Sequence, residues 1–244
     1  MSGTAALAAP PGSNARILKS KIEFALPALH TVIARVWSAP DLDRRYVDYL
    51  QTMHQMIRAT VPLMAAGIAR CEQLAGDPVA DGVAAYLGKH IHEENGHDDW
   101  VRQDLELICP EAGELLAAMP SPAVAAAVGA QYYWLAHHHP VCLLGHIAVL
   151  EGYPGSPELP KLLAKRSGHP DRAFRTMHVH AVLDQRHRDE LFDAIDALPL
   201  SARHHSMLGV SAMHTIGSLA TVFEELADRR VAAHRIRTMA TEGE

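Results

Sequence analysis

Two segments ninety residues apart carry the same arrangement of side chains able to bind a metal: His90, Glu94 and His97 in KHIHEENGHDDW, and His180, Asp184 and His187 in HVHAVLDQRHRDEL. Each reads His-x3-acid-x2-His. On an uninterrupted helix, positions i, i+4 and i+7 fall within about 60° of one another, so each triplet is expected to project from one face. Val83, Leu87, Val101 and Leu105 continue the first stripe in apolar residues, and Ala173, Met177, Leu191 and Ala194 the second. Ionisable groups set into a core-facing stripe are costly unless paired or bound to metal. The pattern therefore points to an interior metal site.

The chain has 17 histidines, so one triplet alone could be a self-satisfied hydrogen-bonded cluster. Two with the same spacing and flanks favour metal. His92, His137, His138, His139, His204 and His205 are read as the background of that excess. Within each triplet lies an acid-x-x-His step, the unit that helical di-iron carboxylate proteins use twice. A further carboxylate is expected from Glu151, whose helical neighbours Leu144, Ile147 and Ala148 are apolar. Glu94, Glu151 and Asp184 would set three negative charges against the four of two divalent ions.

Imidazole with carboxylate suits iron or manganese, and the absence of cysteine from the cluster argues against structural zinc or an iron-sulfur centre. The HExxH spacing of metalloproteases is absent. Glu93, Asp98 and Asp99 flank the stripe and are read as surface charges, with orientation of the imidazoles as the other role open to them. Arg58, one turn after His54, is a candidate anchor for a substrate carboxylate, and Tyr132, Tyr133 and Trp134 are candidate pocket residues. For all four, a structural role is the simpler expectation.

Apolar periodicity predicts helices over 15–37, 41–74 with a kink at Pro62, 81–108, 111–118, 122–152 interrupted at Pro140, a brief one ending at Gly168, 171–198 and 202–235. The segment over 81–108 carries the first triplet. No segment alternates at period two over a useful length. The expected fold is all-α, a single helical bundle of seven to eight helices over residues 15–235, between a flexible leader at 1–14 and a flexible tail at 236–244.

Composition fits this reading, because 48% of the residues are hydrophobic and only 5% aromatic, which favours helix over strand. A net charge of -6 argues against a nucleic-acid surface. Cys71, Cys109 and Cys142 suggest no disulfide framework, so a reducing cytoplasm is expected. The longest apolar stretch, 123–136, is short for a membrane span and holds Gln131, so no membrane partner is expected.

The chain resembles the haem-oxygenase-like di-iron oxidases and oxygenases, relatives of the TenA and PqqC helical fold. The resemblance rests on Glu94-x2-His97, on Glu151, and on His180-x3-Asp184-x2-His187, in the family's order, and covers residues 15 to 230. It implies a haem-oxygenase-like bundle whose central cavity binds two irons. The implied activity is reaction with dioxygen to desaturate, cleave or N-hydroxylate a small amine- or carboxylate-bearing metabolite, with electrons from a separate reductant. Pairing as a homodimer is a further implication. One departure concerns the second core helix, which in that family commonly supplies a carboxylate: here no acid occurs between Asp48 and Glu72. His54 or His90 could stand in, although for His54 a satisfied core histidine is the simpler expectation. One metal, or manganese, is then the alternative occupancy. The competing readings are a metal-independent enzyme of the same fold, a helical protein that handles iron without a substrate, and a haem binder.

Overall fold

Leu18, Ile22, Leu26, Leu29 and Val36 recur at helical spacing and are all buried, which makes the first helix, α1 (Ser13–Ser38), amphipathic. The structure is a computed structural model that describes residues 13–229. The leader expected at 1–14, the tail at 236–244 and the end of the last helix at 235 fall wholly or almost wholly outside those residues. After α1 come α2 (Leu42–Ile57), α3 (Thr60–Glu72), α4 (Pro78–Glu94), α5 (His97–Ile108), α6 (Ala112–Ala117), α7 (Pro122–His137) and α8 (Cys142–Leu150). α9 (Leu159–Ser167), a 3-10 turn at Asp171–Phe174, α10 (Arg175–Ala197) and α11 (Ala202–Asp228) follow. Among the described residues there is no strand.

The all-α expectation holds, but among the described residues the eight expected segments appear as eleven α-helices because three of them are divided. The 41–74 segment breaks after Ile57 instead of kinking at Pro62. A proline clashes with the carbonyl four residues before it and cannot donate to it. For Pro62 that residue is Arg58, where α2 ends, and the proline sits harmlessly in the first turn of α3. The 122–152 segment divides at Pro140 as expected. The 81–108 segment divides at Asn95–Gly96, so the first triplet does not lie on one continuous helix.

α1 and α11 run parallel, tied by Lys21 Nζ donating to the His205 carbonyl at 3.3 Å and by Arg35 with Asp228 at 2.6 Å. By length and composition α11 could cross a membrane, and half of its apolar window is buried against α1, α7 and α8. The α4–α5 pair runs antiparallel to α10. Lys89 meets Glu190 at 2.7 Å, Arg186 meets Glu93 at 3.1 Å, and the Thr176 backbone N–H donates to Asp104 at 2.9 Å. That antiparallel register lays one triplet against the other.

Candidate metal centre

α4 ends at Glu94 because Asn95 is extended and Gly96 takes φ +89°, a left-handed conformation that only glycine adopts without strain. The turn restarts the helix at His97 and brings its Nδ1 within 3.1 Å of Glu94 Oε2. Across from it, α10 carries His180, Asp184 and His187 on one unbroken helix, as expected. Glu151 comes from the residue that closes α8. His90, Glu94, His97, Glu151, Asp184 and His187 are buried and His180 is half-buried.

Their donor atoms form two overlapping groups. His90, Glu94, Glu151 and His187 offer one ligand atom each within 4.8 Å of one another, and so do Glu94, His97 and His180. Glu94 belongs to both. In the first group His90 Nε2 lies 3.0 Å from Glu151 Oε1, and His187 Nδ1 lies 3.3 Å from Glu151 Oε2 and 3.6 Å from Glu94 Oε1. Neither His187 contact is aligned as a hydrogen bond, because both ring nitrogens of His187 remain unpartnered. In the second group the His180 Nδ1–H donates to the Thr176 carbonyl at 2.9 Å. That fixes the tautomer and leaves the Nε2 lone pair for a metal.

The cluster fails as a self-satisfied network. Glu93 Oε2, Glu94 Oε1, Glu151 Oε2, Asp184 Oδ1 and both His187 nitrogens are buried without a hydrogen-bond partner. Each such atom costs about 1–3 kcal/mol, more when charged, so six at one place demand a ligand that accepts lone pairs. A cation meets that demand, and the donor set of imidazoles and carboxylates suits iron.

Burial opposes ionisation of Glu151, but His187 and His90 overcome it and hold its carboxyl down at about 2. Asp184 behaves oppositely. Burial first, then the negative charge of Glu151, pushes its carboxyl up to about 8, with only partial relief from His187. Burial lowers His180, whereas His90 and His187, despite their own burial, are raised by Glu151. The protein groups alone thus retain protons that a divalent cation would displace.

Glu94, Glu151, His180 and Asp184 also line a cavity of about 320 Å³ whose other walls are largely apolar, among them Leu50, Met53, Met64, Leu143 and Phe223. Of the sequence candidates, Glu94, His97, Glu151, His180, His187 and His90 come together as ligand groups. Asp184 lies in the cavity wall but outside both groups. His54 is in neither group and is not among the residues that line the cavity. Arg58 closes α2, is exposed and does not line the cavity. Tyr132 and Tyr133 are exposed on α7, and Trp134 packs against His214.

Two residues were under-read. Glu93, expected at the surface, is half-buried with Oε2 3.6 Å from His90 Nδ1 and 3.7 Å from His187 Nε2, while Arg186 holds its other oxygen at 3.1 Å. It faces the two ring nitrogens that point away from the ligand group; its position three residues after His90 was the available signal. The other is His146 on α8, an isolated histidine in an apolar run that gave the sequence no signal, although it lines the cavity.

A family model described as iron-containing redox enzyme matches residues 47–218. Three solved structures share the fold. A domain of unknown function with a haem-oxygenase-like fold from Shewanella denitrificans OS217 is 16% identical, with TM-score 0.71 over 86% of this chain and 90% of that one. A CADD-like protein of unknown function from Nostoc punctiforme PCC 73102 is 18% identical, with TM-score 0.66 over 91% and 100%. A TenA homologue from Pseudomonas syringae pv. tomato DC3000 is 14% identical, with TM-score 0.59 over 84% and 91%. No curated protein matches.

Proposed function

The chain belongs to the family of iron-containing redox enzymes, and from that premise we propose that it is a non-haem di-iron oxidase or oxygenase acting on a small molecule held in the adjoining cavity. The observation that carries the reading is that Glu94 belongs to both ligand groups. A carboxylate has two oxygens and can serve two cations at once. On this reading His90, Glu151 and His187 complete one iron site, and His97 and His180 the other. Asp184 supplies the third carboxylate charge beside them.

Iron held by these residues would supply the electrons for reducing dioxygen. The chain's own residues set the conditions. Glu93 and the Thr176 carbonyl orient the imidazoles, and the apolar cavity wall keeps bulk water from the cluster. His30 and Tyr153 border both this cavity and an outward-facing cleft lined by Lys19, Arg188 and Asp189. The reactions that suit such a site are desaturation, cleavage or N-hydroxylation of a small amine- or carboxylate-bearing metabolite.

A metal-independent enzyme, as in the TenA branch of the fold, would leave six buried polar atoms without hydrogen-bond partners, and a protein that only stores iron has no use for the cavity. The test is dioxygen uptake by the anaerobically loaded ferrous protein. Wild type is expected to consume dioxygen in proportion to its iron, and Glu94→Ala and His187→Ala to lose that uptake. Uptake persisting in both variants would overturn the proposal.

A further inference from the structure

His146 lines the cavity, belongs to neither ligand group, and has hydrogen bonding that fixes a free acceptor. Thr215 Oγ1–H donates to the Ser211 carbonyl at 2.8 Å, one turn back along α11, so its oxygen is left to accept, and the His146 Nδ1–H donates to it at 2.9 Å. The proton is therefore held on Nδ1 and the lone pair on Nε2. Nε2 has no hydrogen-bond partner among the described residues and is not sealed off by protein atoms, and the ring lines the cavity. Thr215 is within reach because α8 approaches α11 closely at Gly145, where any side chain would meet the Leu208 carbonyl.

We propose that His146 Nε2 is the recognition group of the cavity, accepting a hydrogen bond from an O–H or N–H group on a substrate whose body is otherwise apolar. The inference rests on the reading that this cavity holds the substrate. Burial drives the imidazole down to about 4, so it stays neutral and keeps its acceptor. A histidine serving only the core would have both nitrogens satisfied, or would be replaced at less cost by leucine. Among the described residues no lysine or arginine lines the cavity, so they offer a carboxylate head no cationic partner there. An alcohol or amine fits the lone acceptor, and the apolar walls fit an aliphatic or aromatic body.

The test compares two isomers of equal size, 1-octanol and 1-methoxyheptane, of which only the alcohol donates. Affinities are read by calorimetry on the iron-loaded protein without dioxygen. Wild type is expected to bind the alcohol about tenfold tighter, the worth of one hydrogen bond. His146→Leu, with iron content and melting temperature checked, should abolish that preference while leaving ether affinity within about twofold. His146→Gln, which keeps an acceptor, should restore part of it. Thr215→Val never reaches the ligand but lets the ring proton move to Nε2, so it should narrow the preference; this variant carries the test if His146→Leu does not fold. Equal binding of the two probes by wild type, binding of neither, or a preference surviving in His146→Leu would overturn the proposal. Dioxygen uptake is measured without these probes, so a failed oxidase reading and a failed recognition reading give different results.

Discussion

His97 stands edge-on to His180, ring centroids 5.0 Å apart and planes at 87°. His90 stands to His187 in nearly the same way, at 4.9 Å and 86°. The two pairs arise because the α4–α5 segment runs antiparallel to α10, so the first histidine of each triplet meets the last of the other. Glu94 lies near the centre of that arrangement, which is why it reaches both ligand groups.

Glu93→Gln tests how the first group is oriented. Glutamine keeps the size of Glu93 but removes the charge that faces His90 Nδ1 and His187 Nε2. Loss of such an orienting carboxylate typically weakens metal binding 10–100-fold. Competition against a ferrous chelator should show a loss of that order. Affinity unchanged within about twofold would remove Glu93 from the site.

Gly96→Ala separates backbone strain from packing. A Cβ there meets nothing within 4 Å, so the whole effect comes from φ +89°. A non-glycine residue in that region costs about 1–2 kcal/mol. Urea unfolding should show a loss of that size, together with weaker retention of the iron that His97 helps to hold. A loss of only a few tenths would mean that the turn relaxes to another conformation.

The Gly96 turn also marks where sequence reading stops. Val83, Leu87, His90, Glu94, His97, Val101 and Leu105 continue one helical stripe across it, so periodicity carries no sign of the break. The ligands remained legible because the break changes the path of the chain without removing His97 from its neighbours. Glu151 was legible as a charge among apolar residues. His146 was not, because its meaning depends on Thr215, 69 residues away, and on the cavity beside it. For Arg58 and His54 a structural role was the simpler expectation, and neither lines the cavity, Arg58 being exposed at the end of α2.

Asp104 gives a pH dependence from outside the ligand set. Its carboxyl is almost fully buried at the start of α10, and burial pushes it up to about 6 against the Thr176 N–H that donates to it. An acid whose folded value is raised binds its proton more readily when folded. Its contribution to stability is therefore present below its unfolded value of about 3.9 and is lost as pH rises through about 6. Asp104→Asn keeps an oxygen to accept from Thr176 and carries no charge. It should melt higher than wild type at pH 7.5, by up to about 3 kcal/mol in stability, and match it near pH 4. A difference that does not vary with pH would contradict this.

The number of irons bound per chain, after anaerobic loading with ferrous iron and removal of loosely held metal, bears most directly on the shared Glu94. Wild type should hold close to two. His180→Ala should hold close to one, because the group of His90, Glu94, Glu151 and His187 is untouched, whereas Glu94→Ala should hold fewer than one because both groups lose a ligand. A single iron in wild type, or two irons retained in Glu94→Ala, would contradict a centre built around that carboxylate.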